Sequence, residues 1–212
     1  MTAQPKTATL ARTEAGEGDA GGGGRPQRAD AKRNYERLVG AAREVFAQQG
    51  GGASMEAIAK EAGVGAGTLY RHFPKRIDIV EAVYRDDVDE LTTVAQTAVT
   101  TLEPWPALVT WLEAFVRYAS GKRRFMTELH EAFEKNPDLR VASRERIEAA
   151  LSIVLTRAQG AGVVRCDLDA PDLMQLLGSM CMSATLTPDQ SSRLLVMIED
   201  GLRPPAEQPE GT

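Results

Sequence analysis

Residues 54–76, SMEAIAKEAGVGAGTLYRHFPKR, constrain this chain more than any other stretch, because they contain a forced turn and a forced stop. Ser54 is a good helix N-cap, and Met55, Ile58 and Ala59 give the residues after it a narrow apolar stripe. Gly63 then breaks the helix, since glycine reaches the left-handed conformation that a sharp turn needs, and leaves Val64 free to return to the core. A second helix is expected from about Gly65 to Phe73. Pro74 ends it by disfavouring helix geometry at the residue before it. Two short helices joined in this way form a helix-turn-helix, a motif whose second helix lies in the major groove of a duplex.

The flanking sequence reads as helical throughout. From Ala29 to Gln49, Tyr35, Leu38, Val39, Ala42, Val45 and Phe46 recur at three- and four-residue steps, and Gly50-Gly51-Gly52 ends that helix. Three helices in this span enclose a predicted core of Leu38, Ala42, Phe46, Ile58, Leu69 and Phe73. A long helix without Gly or Pro follows, from Lys75 to about Thr100, as a strut away from the reading helix. Pro104-Trp105-Pro106 marks a corner. Helices are then expected over 107–120, 122–135, 138–159, 173–184 (opened by Asp169-Ala-Pro-Asp) and from Thr187-Pro188-Asp189 onward. No strand pattern of any length is present. The fold class is therefore all-α, with a tail over 1–28, a three-helix head over 29–76, a helical body over 77–203 and a second tail over 204–212.

Charge separates head from body. The chain carries a net −5, yet the stretch from Arg25 to Arg76 holds ten Lys and Arg against five Asp and Glu. That stretch is +5 and the remainder −10. A basic head on an acidic body suits a local phosphate-binding surface. Cys166 and Cys181 are isolated, with no metal-ligand spacing, so no metal, cofactor or disulfide framework is expected and a reducing, cytoplasmic setting fits. The Gly-rich first 28 residues lack the apolar segment of a signal peptide, and no apolar run is long enough to span a bilayer. The two His lie far apart, and neither a phosphate-binding Gly loop nor a nucleophile elbow is present, which argues against an enzyme.

IAKEAGV followed by TLYRHFPKR resembles the signature of the TetR family of bacterial transcription regulators, closely over residues 29–84 and in architecture beyond. The resemblance implies a homeodomain-like three-helix DNA-binding head, a helical regulatory and dimerisation domain that takes a small-molecule effector, and a homodimer formed through the last two long helices. It places Thr68, Tyr70 and His72 at phosphates, with Lys75 and Arg76 just past the helix. Ala66, Gly67 and Arg71 sit where base edges can be reached, Arg71 being the best guanine reader. Two departures stand out: Gly65 where the family often has Ser, and Arg76 where it often has Lys. Arg25, Arg28, Lys32 and Arg33 form either a basic arm or a plain tail.

In the body, Trp111, Phe115, Tyr118, Met126, His130, Phe133, Met174 and Cys181 are candidate pocket residues, with His130 and Tyr118 as its polar groups. The apolar circumference of 173–184 makes Leu173, Leu177, Met180 and Ala184, with Leu194 and Ile198 of the last helix, a candidate dimer face. The functional expectation is a ligand-responsive repressor that binds a pseudo-palindromic double-stranded operator as a dimer. The alternative is a helical protein-interaction module without a DNA function.

Overall fold

The computed structural model describes residues 24–183 and 185–205, and their side chains from residue 29 onward. Among these residues the chain forms nine α-helices and no strand: α1 (Gly24–Gln49), α2 (Met55–Glu61), α3 (Ala66–His72), α4 (Arg76–Thr101), α5 (Pro104–Arg123), α6 (Met126–Lys135), α7 (Pro137–Gly160), α8 (Ala170–Cys181) and α9 (Pro188–Leu202).

The head is built as its turn chemistry dictates. The Ser54 hydroxyl accepts the Ala57 N–H at 3.0 Å and so caps α2. At the other end Gly63 takes φ +61°. There the Gly63 N–H donates to the Lys60 carbonyl at 3.1 Å and the Val64 N–H to the Ala59 carbonyl at 3.0 Å. This is a complete Schellman cap, and the Arg37 guanidinium seals it by donating to the Ala62 carbonyl at 2.5 Å. Helix α3 closes on the Phe73 N–H, which reaches the Leu69 carbonyl at 2.8 Å before Pro74 stops the ladder. Leu38, Ala42, Phe46, Ile58 and Leu69 are fully buried and Phe73 nearly so, giving the head a closed apolar centre.

Helix α4 is shared between the two halves. It packs on α1 at the head and on α5, α6 and α7 in the body, while α8 rests on α5 and α7 and α9 on α5. Asp169 accepts from the Asp172 N–H at 3.0 Å and Thr187 from the Gln190 N–H at 3.2 Å, so the side chains expected to open α8 and α9 cap them.

The triple glycine ends α1 as expected, Gly50–Gly52 forming a 3₁₀ turn with Gly50 at φ +59°. Four boundaries differ from expectation. Helix α1 begins at Gly24, inside the stretch read as a tail. Helix α8 spans Ala170–Cys181, three residues ahead of the expected 173–184. Pro104-Trp105-Pro106 is the first turn of α5, where a proline lacks no helical hydrogen bond. Lys122 closes α5 instead of opening α6, because Phe125 leaves the helix to bury itself against Phe46, ring centroids 5.3 Å apart. That last shift moves a cation from one helix end to another, with consequences for the cavity.

Candidate nucleic-acid interface and body cavity

Helix α3 turns Leu69 into the head and leaves Ala66, Gly67, Tyr70 and Arg71 exposed, with Thr68 and His72 half-buried beside them. Gly65 at its N-cap supplies no side-chain bond, so the first N–H groups of α3 stay open at the surface. Tyr70 donates its hydroxyl to Glu56 Oε1 at 3.2 Å. That bond, with the adjacent carboxylate charge, pushes the phenol up, while Glu56 is held down by its own backbone and by Tyr70. The His72 ring sits 6.4 Å from Tyr35 and 6.3 Å from Phe73, which fixes it at the seam between α1 and α3. Arg71 and Lys75 are exposed and have no acidic partner among the described residues, as does Lys60 on α2. The face therefore presents free cations around a helix nearly bare of bulk at its N-terminal end, a shape suited to close approach against phosphates.

Arg76 is placed otherwise than expected. Its guanidinium donates to the Ala53 carbonyl, to the Gly51 carbonyl at 3.1 Å and to Glu128 Oε1 at 3.1 Å, and lies over the Phe46 ring at 5.3 Å. With three of its N–H groups engaged there, it is a bolt between the 3₁₀ turn, the head core and α6. An Arg fork, unlike a Lys point charge, spans those three acceptors. Arg124 donates to the Ala47 carbonyl beside it. Of the basic arm, Lys32 lies 3.7 Å from Glu36 and Arg33 pairs with Asp30; the side chains of Arg25 and Arg28 fall outside the described residues.

The body holds a cavity of about 430 Å³ between α4, α5, α6, α7 and α8. Phe115, Tyr118, Phe133, Met174 and Cys181 line it, joined by Tyr84, Lys122, Arg140 and Arg144. Three expected residues do not. Trp111 is fully buried in the core, stacked on Phe115 at 5.6 Å. His130 faces solvent and lies 3.4 Å from Glu134 one turn on, and Met126 starts α6 away from the opening. Sequence reading missed Tyr84 because it sits on the strut, and Lys122 because its helix was misassigned. Burial pushes the Tyr118 phenol well up, with Tyr84 adding to it, and pushes the Cys181 thiol up.

On α8 and α9 the structure closes Leu173 and Leu177 inside the protomer, at 2% and 0% exposure. Leu176, Leu194 and Met197 are exposed, and with the half-buried Met180 and Ile198 they line a groove of about 560 Å³. Ala184 lies outside the described residues. An apolar circumference names a helix but not the side of it that faces in.

Among the described residues no His, Cys, Asp and Glu cluster could hold a metal ion, and no helix is long and apolar enough to cross a membrane. The motif, the exposed cations and the all-helical body define a helix-turn-helix DNA-binding regulator. Comparison with known proteins fixes the family. Residues 38–83 match the model of bacterial regulatory proteins of the tetR family, and 103–204 that of the transcriptional regulator SbtR-like C-terminal domain. A TetR transcriptional regulator from Streptomyces coelicolor is 36% identical, with TM-score 0.73 over 81% of this chain and 99% of that one. A TetR transcription regulatory protein from Mycobacterium vanbaalenii is 37% identical, with TM-score 0.66 over 84% and 99%. An HTH-type transcriptional regulator of Staphylococcus aureus is 43% identical over 67 residues, 31% of this chain and 36% of its own length. The chain belongs to the TetR family and is a DNA-binding transcriptional regulator.

Proposed function

We propose that this protein is a ligand-responsive repressor that binds a pseudo-palindromic operator as a homodimer. Thr68, Tyr70, Lys75 and the open N-terminal N–H groups of α3 hold phosphates, and Arg71 reads a base edge. The groove between α8 and α9 takes the same groove of a second copy, since a two-fold contact is self-complementary and a patch of this apolarity is costly in water. Such a dimer, seated on a promoter, obstructs polymerase without further contacts.

One observation carries the ligand response. Tyr84, a wall of the cavity, precedes Asp86 and Asp87 by two and three residues on α4. Those two carboxylates hold α1 through Arg43, at 2.6 and 2.7 Å. Burial raises the Asp87 carboxyl to about 6 even with Arg43 beside it, so this link is made in a shielded place. A molecule pressing on Tyr84 thus works on the turn of α4 that anchors the head. The Arg76–Glu128 bolt gives the cavity wall formed by α6 a second hold on the head. Coupling of this sort is worth about 1 to 3 kcal/mol, a 5- to 150-fold change in operator affinity.

Selection of bound duplexes from a random pool by the purified protein tests the reading. Recovery of an inverted repeat, bound with two protomers, is the expected result. A protein that recovers no sequence preference and stays monomeric is the interaction module instead.

A further inference from the structure

The cavity in the body has an unusual electrical balance. Among the described residues three cations line it, Lys122 from α5 and Arg140 and Arg144 from α7, and no carboxylate does. None of the three makes an ion pair or a side-chain hydrogen bond among the described residues, whereas Arg146, Arg117 and Lys135 of the body pair with Asp89, Glu113 and Glu131. Lys122 is half-buried, and its ammonium lies 5.3 Å from the Tyr84 ring, 5.8 Å from Tyr118 and 5.6 Å from Phe133. Ring faces attract a cation but offer its three N–H groups no oxygen to donate to. Behind it the wall is apolar: Phe115, Ile147, Met174 and Cys181.

Building on the ligand-responsive reading, we propose that the effector is an organic anion with an apolar body, its carboxylate or phosphate held by Lys122 with Arg140 and Arg144 at the mouth. The charge of the site disfavours a cationic drug-like molecule, which would meet the half-buried Lys122 ammonium inside and two guanidinium groups at the mouth. It equally disfavours a purely apolar molecule, which would cover the Lys122 ammonium and leave it without water or acceptor. An anion resolves both, accepting from Lys122 inside and from either guanidinium fork at the opening. The Lys122 ammonium is itself pulled down to about 8 by burial, with Arg140 adding repulsion, which is the direction an empty anion site gives.

A matched set of probes isolates the head group while keeping one apolar body: 2-naphthoate, 2-naphthyl phosphate, 2-naphthamide and 2-naphthylmethylammonium, titrated calorimetrically into the full-length dimer at pH 7. The two anions are expected to bind at least about 10-fold tighter than the amide, and the ammonium compound least, as charged hydrogen bonds warrant. The ratio of naphthoate to naphthyl phosphate then assigns the charged end. Lys122→Met, which keeps the stem packed against the three rings, should cut naphthoate affinity about 10-fold or more, with Lys122→Arg restoring part of it. Arg140→Gln and Arg144→Gln, both at exposed positions, should each lower it without touching the fold. Equal binding of amide and naphthoate, preference for the ammonium compound, or naphthoate binding indifferent to Lys122 and both arginines overturns the proposal. Operator affinity measured with and without naphthoate separates the two readings. Lys122-dependent binding that leaves the operator occupied upholds the anion site and removes the release mechanism.

Discussion

Head and body use the same residue types in opposite ways. Among the described residues, Lys60, Arg71 and Lys75 on the head stand unpaired and outward around a short helix with almost no side-chain bulk at its start. In the body, Lys122, Arg140 and Arg144 likewise stand unpaired among the described residues, around a cavity whose interior or mouth they face. Both arrangements await an anion, a polymer in one case and a small molecule in the other. Between them sits Arg76, whose guanidinium donates to the Ala53 and Gly51 carbonyls and pairs with Glu128. Free cations mark where a partner goes; a satisfied one marks where the two halves are joined. Composition, which counts all seven alike, makes no such distinction.

Separating the proposed protomers should have the largest effect. Leu176→Asp with Met197→Asp places charge on the outward α8–α9 groove without altering either protomer core. Sedimentation should show a monomer, and operator affinity should fall about 100-fold or more as the two half-sites cease to be bound as one. A dimer that survives both changes moves the interface elsewhere.

Next in size is Arg76→Ala. Removing the bolt leaves Glu128 Oε1 without its partner, beside an Oε2 that is already buried and unpaired. A loss of about 2 to 3 kcal/mol in denaturant unfolding is expected, with an unchanged salt slope for DNA binding. A slope lowered by one with stability intact would return Arg76 to the phosphates.

Smaller again are the head's own contacts. Arg71→Ala should relax preference at one position in each half-site, by about 1 to 3 kcal/mol, in a competition of operator variants. Lys75→Ala should weaken all sequences alike and lower the salt slope by about one per head.

The finest test lies in pH. The groups facing Lys122 are Tyr84 of α4, Tyr118 of α5, Phe133 of α6 and Arg140 of α7. Burial keeps the Tyr118 phenol neutral well into alkali and pushes the Cys181 thiol of α8 up, while Lys122 changes charge near pH 8. Its depressed value means the charged form, and with it naphthoate binding, is present below about 8 and fades as pH rises past it. Affinity should fall about 10-fold between pH 7 and 9.5 and stay flat in Lys122→Met.

What could be read from the sequence follows from how local each cause is. Ser54, Gly63 and Pro74 act on their own backbone, so the turn motif and its two helices were legible to within a residue. The six residues assigned to the head core are all buried, because two short helices and one longer one leave few ways to close. The cavity was legible only in part. Phe115, Tyr118, Phe133, Met174 and Cys181 carried an apolar signal, but Lys122, Arg140 and Arg144 gain their meaning from the acids that are missing around them in space. Arg76 was misplaced for the same reason: its partner Glu128 is 52 residues away. Leu173 and Leu177 were assigned outward because a helix apolar on all sides does not disclose its orientation until its neighbours are placed.

The most direct test is the salt dependence of operator binding, measured by fluorescence anisotropy on a selected duplex with the wild-type protein. With Arg71 at a base edge, the two remaining free cations Lys60 and Lys75 on each of two heads predict that log K falls against log [salt] with a slope of about −3.6. A slope near zero, or binding by single protomers, would contradict it.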